Sequence, residues 1–392
     1  MRFLLKRAVA NQWLVGLIGL STVTTVGAAA NLRFVEHTIA TNLRGGYQVV
    51  VADLNQDGKP DLIALASGIP ELVWYENPGW QRHVLASNLT EMINCVVLNS
   101  GGREEIVLAS GFSNDARRST GNVWLLEPGA DVRQPWSIRE IDRVPTSHRL
   151  RLADIDDSGR PVVLDAPLTD AQSSPPDYRS QTPLVYYRPG EWRRTLISND
   201  NPGIMHGLCV VDWDGDHRDQ ILTASFGGIA RYKLERNGRW TRILLTPGDP
   251  APWPKCGASD VAVGHLGSRR FLCSIEPWHG HEVVVYHEQN GTWRRQVIDD
   301  SFDDGHALAT ADLNGDGRDE IIAGYRGKGG GLVFYLATGE NGEQWRRTNL
   351  DIGGITTASC AVVDLNGDGK LDVVAIGSAT ANLKWYEAMP DR

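Results

Sequence analysis

The sequence predicts an all-β chain folded as a seven-bladed β-propeller of four-stranded blades, closed by its N-terminal strand pairing with the last blade. Three observations predict it. An aromatic residue followed by basic and β-branched residues recurs at Trp80, Trp136, Trp192, Trp240, Trp293 and Trp345, and Leu32 to Ile39 supplies a seventh copy of the alternating pattern. A Pro-Gly or Asn-Gly turn precedes each of the six later copies, from Pro78-Gly79 to Asn341-Gly342. An Asp/Asn/Gly-rich loop between small-residue runs recurs about every fifty residues, a spacing that fits propeller repeats.

At the N-terminus, Arg2, Lys6 and Arg7 precede the apolar segment Trp13 to Leu20 and the small-residue run Gly27-Ala28-Ala29-Ala30. This pattern predicts a secretory signal peptide over 1–30, with a retained anchor as the alternative, and a single propeller over 31–392. Export to the periplasm or the extracellular space follows. No second segment is apolar enough to span a bilayer, so no stable membrane insertion is expected after cleavage. Cleavage removes three basic residues and no acid, leaving 36 basic against 48 acidic residues and moving the formal charge from −9 to −12. That balance argues against a nucleic-acid partner. The sequence carries no signal for an oligomeric state.

Each blade begins with a strand of small residues, reverses through the loop and returns as an apolar run such as Ile321 to Ala323. Acidic loops start at Asp53, Asp154, Asp212, Asp312 and Asp364, and the turns at Leu98 to Gly102 and Gly264 to Ser268 stand in their place in blades two and five. The last copy, Leu383 to Glu387, has no outer strand after it, and the segment from Leu32 can supply one.

Five cysteines leave at least one unpaired. Cys95, Cys209 and Cys360 lie in apolar runs, where cysteine behaves as a small hydrophobe. Pairing through the turn at Gly267 sets Cys273 opposite Ala262 and away from Cys256, so no disulfide is expected.

Three loops present oxygen ligands at offsets 0, 2, 4 and 8: Asp53, Asn55, Asp57 and Asp61; Asp312, Asn314, Asp316 and Glu320; Asp364, Asn366, Asp368 and Asp372. Gly58, Gly317 and Gly369 allow the bend such a loop needs. Structural calcium is the expectation, set against a plain Asp/Asn turn satisfied by its own backbone. Val162 and Gln220 at the last offset make the Asp154 and Asp212 loops poorer candidates. No organic cofactor is expected.

Counting back from the loops gives a register. His148, His206 and His306 each stand six residues before the first loop aspartate, with Tyr47 and Ala358 at the same place in blades one and seven. That place is the start of the innermost strand, beside the axis. Second strands return to the same face, bringing Asp165, the stretch Glu276-Pro277-Trp278-His279-Gly280-His281, and Tyr325-Arg326, while Arg149 adjoins His148. The predicted funnel mouth is rich in His, Arg, Tyr and Trp, groups that grip sugars by stacking and hydrogen bonding. His37, His83 and His217 lie outside this register and read as structural.

The acidic loops and the repeat resemble those of the FG-GAP and VCBS repeat propellers, in which such loops often hold calcium. The phrases Ser147-His148-Arg149-Leu150-Arg151, His206-Gly207-Leu208, Glu276-Pro277-Trp278-His279-Gly280 and Gly305-His306-Ala307-Leu308 resemble the propeller of aldos-2-ulose dehydratases and of related polysaccharide lyases acting on rhamnosyl-glucuronate linkages. The dehydratases carry further C-terminal domains, and this sequence is expected to end with its propeller.

The resemblance implies β-elimination by a carbon–oxygen lyase on a carbohydrate. Such chemistry needs a base, an acid for the leaving oxygen and a cation for the enolate-like charge. A neutral imidazole near its usual pKa of about 6.5 suits the base. His206 or His148 is expected as base and His306 or Tyr325 as acid. Arg149 or Arg326 is expected on the anionic group, with Trp278, His279, His281 and Tyr47 completing the substrate site. Zinc coordination by the three in-register histidines is an alternative that requires a narrow axis, since His306 lies across the funnel. A non-enzymatic propeller that binds a glycan or protein on the same face is the other.

Overall fold

In the computed structural model the described residues are 32–339 and 341–389. The signal-peptide expectation over 1–30 lies outside them. They form seven four-stranded antiparallel sheets. The inner strands are Gly46–Ala52, Asn94–Ser100, Ser147–Ala153, Met205–Val211, Asp260–Leu266, Gly305–Ala311 and Thr357–Val363. Phe34–Ala40 pairs antiparallel with Leu383–Ala388 as the outer strand of blade seven, so the first folded segment closes the ring. No described helix is long and apolar enough to cross a membrane.

Second strands are buried on both faces, as the runs Asp61–Ala66, Gln220–Ser225, Glu320–Tyr325 and Asp372–Gly377 show. Alternate side chains on such a strand pack toward opposite neighbouring blades, and the core is therefore a ring of interblade clusters. One cluster joins Phe271, Cys273 and Val283 of blade five to Ile321, Ala323 and Tyr325 of blade six. The next joins Ile322 and Phe334 of blade six to Val373 and Tyr386 of blade seven.

Third-strand tyrosines add polar fastenings to this packing. Tyr187, Tyr335 and Tyr386 are fully buried, and each hydroxyl donates to a carboxylate on the outer strand of the preceding blade, Asp142 at 2.8 Å, Asp299 at 2.6 Å and Asp351 at 2.7 Å. A buried phenol needs such a partner, and here the partner also sets the angle between blades. All five cysteines are free, and Cys273 pairs in register with Ala262.

The acidic loops sit at the end of the inner strands opposite their histidines. Asp53, Asp312 and Asp364 accept the backbone N–H groups four and five residues on. Asn55, Asn314 and Asn366 accept from the N–H of Asp57, Asp316 and Asp368, whose own carboxylates accept from Lys59, Arg318 and Lys370. Asp61, Glu320 and Asp372 turn inward and accept from the N–H of Leu54, Leu313 and Leu365. Every expected ligand is thus already engaged by the backbone of its own loop.

Candidate functional site

The site begins with one backbone irregularity used five times. In blades one, three, four, six and seven the pairing of the first two strands shifts register between Gly46 and Gln48, Ser147 and Arg149, Met205 and Gly207, Gly305 and Ala307, and Thr357 and Ser359. Tyr47, His148, His206, His306 and Ala358 are the extra residues. A bulge residue has no partner opposite and escapes the alternation that sends its neighbours between blades. Blades two and five pair without a shift.

Four of the bulged side chains, those of Tyr47, His148, His206 and His306, meet one another. Ring centroids lie 4.8 Å apart for His148 and His206 and 5.0 Å apart for His206 and His306. Tyr47 Oη is 2.7 Å from His148 Nε2, and its ring centroid is 5.1 Å from that of His306. The axis is narrow enough for groups from opposite blades to touch.

His279 joins from blade five, with ring centroids 4.9 Å from His206 and 5.2 Å from His306. The turn that carries it is compact: a Cβ on Gly280 would lie 2.1 Å from the carbonyl oxygen of Glu276. Glu276 anchors the turn, accepting from Arg295 Nε at 2.8 Å and from the Tyr286 hydroxyl at 2.6 Å. Trp278 lies tilted against His279 at 4.8 Å and also meets Tyr178 and Phe226, forming an aromatic wall.

A cavity of about 510 Å³ opens above this floor, within the range of sites that take one small ligand. Tyr47, His148, His206, Trp278, His279 and Arg326 line it. Arg149 and His306 lie beneath: Arg149 Nε donates to the His206 carbonyl at 3.1 Å, and His306 is buried. Two expected members are elsewhere. Tyr325, expected at the funnel from its place at a strand end, points between blades five and six and packs on Phe302 at 4.8 Å, because regular alternation carries it to the blade face. His281 is exposed outside the cavity, since the turn has already reversed at Gly280. Asp165 is buried between blades and accepts from Ser147 Oγ at 2.9 Å.

Sequence reasoning missed the upper wall and one acid. Phe112, Ser113, Asn114 and Arg118 come from the long connection in blade two, and Glu91 from the segment before that blade. They belong to no repeat position. Asp304 accepts from Arg326 Nε at 3.1 Å and Nη2 at 3.0 Å, and lies two residues before His306 where a pattern search sees only a turn.

Burial, with the nearby guanidinium of Arg149 or Arg326 adding to it, holds His148, His206 and His306 well below the usual imidazole range. His279 is pushed down to about 3 by burial and then by Arg326 and Arg149. All four rings are neutral at neutral pH, and lower in pKa than the sequence expectation of an ordinary imidazole. Burial raises the Tyr47 phenol, which stays protonated.

His206 and His306 turn Nδ1 to backbone carbonyls, Ser259 at 3.1 Å and Ala358 at 2.5 Å. A carbonyl only accepts, so these Nδ1 atoms carry the hydrogens and Nε2 offers a lone pair. His306 Nε2 is buried with no hydrogen-bond partner among the described residues. The ligand nitrogens of His206, His279 and His306 all lie within 4.8 Å of one another, the one such group of three among the described residues. Converging neutral imidazoles with an orphaned nitrogen fit a zinc-type ion, and the set differs from the sequence expectation by taking His279 in place of His148.

Residues 120–290 match the family described as aldos-2-ulose dehydratase, beta-propeller domain. Residues 312–375 match an FG-GAP-like repeat and residues 45–68 an FG-GAP repeat. The chain is 29% identical over 236 residues to an aldos-2-ulose dehydratase of Phanerodontia chrysosporium, an alignment covering 52% of this chain and 25% of that protein. It thus spans about a quarter of that relative's length. Among solved structures, an ancestral GH74 enzyme superposes with a TM-score of 0.59 at 12% identity, covering 88% of this chain and 48% of that one. Virginiamycin B lyase from Staphylococcus aureus gives 0.57 at 8% identity, covering 92% and 100%. At these identities the structural likeness concerns the fold. The chain is a seven-bladed propeller with FG-GAP-type repeats at 45–68 and 312–375 and a likeness to the dehydratase propeller over 120–290.

Proposed function

We propose that this chain is a carbohydrate-active carbon–oxygen lyase that breaks a C–O bond by β-elimination on a sugar ketone or uronate. The observation that supports it most is the meeting of four neutral imidazoles, a protonated phenol and two guanidinium groups at the floor of one sugar-sized cavity. The dehydratase likeness lies over the residues that carry His148, His206 and His279.

In this reading His206 is the base. Its Nε2 lone pair takes the proton next to the carbonyl or carboxylate, the C–H electrons form the double bond, and the C–O bond beyond it breaks. The Tyr47 hydroxyl protonates the departing oxygen, and His148, its hydrogen-bond partner, orients it. Arg326 faces the enolate-like charge from the cavity wall, with Arg149 beneath. An anionic substrate beside these guanidinium groups also offsets their field and raises the imidazoles toward a working range.

The converging nitrogens of His206, His279 and His306 favour a second version of the same reading, in which these three hold a zinc-type ion. Such an ion supplies Lewis-acid polarisation of the carbonyl or carboxylate. The proton would then pass to His148, which stands outside the trio.

The test follows ultraviolet absorbance for a new conjugated double bond on an aldos-2-ulose and on an oligosaccharide ending in a uronate. Absorbance that grows with the wild-type chain and is lost in His206→Gln supports the lyase. Glycan binding without turnover in the wild type would support a non-enzymatic propeller instead.

A further inference from the structure

Backbone carbonyls fix the tautomers of His206 and His306. His279 is placed differently. Its Nδ1 lies 3.1 Å from Nη2 of Arg326, a donor, and 3.2 Å from Oδ1 of Asp304, an acceptor. Its Nε2 lies 3.3 Å from Nε2 of His206.

A ring nitrogen serves one such partner at a time. With Nδ1 bare, Arg326 donates to it, and the hydrogen on Nε2 points at the lone pair of His206. His279 and His206 then satisfy each other, and within the trio only His306 Nε2 is left without a partner among the described residues. With the hydrogen on Nδ1, Asp304 accepts it, and the Nε2 lone pair of His279 joins those of His206 and His306. Two lone pairs facing each other at 3.3 Å repel. Arg149 Nη2, 3.5 Å from His206 Nε2, is the one guanidinium donor on that nitrogen among the described residues and does not lie on His279. A cation shared by both rings therefore favours the second arrangement.

Asp304 is held where both arrangements can use it. Its two carboxylate oxygens grip Arg326, and its backbone carbonyl accepts from the Arg326 N–H at 2.9 Å. Its φ of 58° is a left-handed conformation that few non-glycine residues adopt. The surrounding linker holds that conformation, and the carboxylate stands against both guanidinium and imidazole.

We propose that Asp304 is a positioning residue that makes His279 a tautomeric switch, partnered by Arg326 at rest and by Asp304 when the three Nε2 atoms receive a divalent cation. The proposal rests on reading the histidine cluster as the reactive centre, and on no particular sugar.

Zinc alone is the probe, and the whole chain carries nitrogen-15 in its histidines, with His279→Gln assigning the resonance. In the metal-free protein His279 is expected as the Nε2–H tautomer, and at saturating zinc as Nδ1–H. Asp304→Asn is expected to weaken zinc binding 10- to 100-fold by calorimetry, while Asp304→Glu recovers part of it. The same tautomer in both states, no zinc bound by the wild type, or Asp304→Asn binding zinc within twofold of wild type would each overturn the proposal. Should Asp304→Asn not fold, the two tautomer measurements on the unchanged chain still decide. No sugar turnover is read, so a failed lyase assay and a failed switch are separate results.

Discussion

The Tyr47 hydroxyl lies 2.7 Å from Nε2 of His148, joining the first blade to the third across the axis. Residues 101 positions apart make this contact because both occupy the bulge at the start of an inner strand. The acid proposed above and the histidine proposed to orient it therefore rest on the inner strands of two different blades.

Tyr47→Phe removes the hydroxyl and keeps the ring that packs on His306. Turnover is expected to fall about 10²- to 10⁴-fold, the usual worth of a positioned acid, with ligand affinity changed little. Comparing kcat with Kd for a product or substrate analogue checks it. An equal loss in both would instead make Tyr47 a binding group.

Ring closure depends on a buried cation. Lys384 Nζ bridges Asp351 at 2.8 Å and Glu36 at 2.7 Å, and it is 6% exposed. Lys384→Met leaves the Asp351 carboxylate buried with the Tyr386 hydroxyl as its remaining side-chain partner. Unpairing a buried charge typically costs about 3–5 kcal/mol, and the partial exposure of Glu36 places this case at the lower end. Urea denaturation of wild type and variant measures the loss.

The fold was legible because each blade repeats the same turn chemistry and the same apolar runs, so seven weak signals reinforce one another. The register of His148, His206 and His306 was legible for the same reason. Tyr325 shows the limit: two residues at neighbouring strand ends go to the axis or to the interblade core according to a bulge, and no residue type marks a bulge. Asp304, Phe112 and Arg118 occupy connections without a repeat. Their placement follows from long-range packing that periodicity does not encode.

The acidic loops carry a further proposal, that calcium binds at those starting with Asp53, Asp312 and Asp364. Each already forms a compact turn on its own backbone, so binding is expected to stiffen the turn and leave the fold unchanged. Millimolar calcium is expected to raise Tm, and a chelator to reverse the rise. Asp312→Ala and Asp364→Ala together should remove most of it. An unchanged Tm in wild type would leave these loops as plain turns.

Asp165 has a stability cost that depends on pH. It is fully buried, one carboxylate oxygen has no partner among the described residues, and burial pushes its pKa up to about 7 from an ordinary 3.8. A raised folded-state pKa gives a contribution that is fully present below the unfolded value and lost as pH rises through the folded one. Between about pH 4 and 7 this site therefore lowers stability by about 1.4 kcal/mol per pH unit. Asp165→Asn is expected to gain on wild type across that window, and denaturation at pH 4.5, 6 and 7.5 measures it. A constant difference between the two proteins would refute the assignment.

The pH dependence of turnover separates the buried imidazoles from an ordinary histidine. Burial and the Arg149 guanidinium hold His206 well below the usual range, and burial with Arg326 and Arg149 brings His279 to about 3. Lowered values keep the neutral, proton-accepting form in the free protein under mildly acidic conditions. The acid limb of kcat/KM, which reports the free enzyme, is then expected to stay flat from pH 7 down to pH 5. The limb of kcat is expected at higher pH, because a bound anion offsets the guanidinium field and favours the protonated ring. Measuring both profiles on one substrate checks the pair. A kcat/KM limb near 6.5 would show that the base is a solvated histidine outside this cluster.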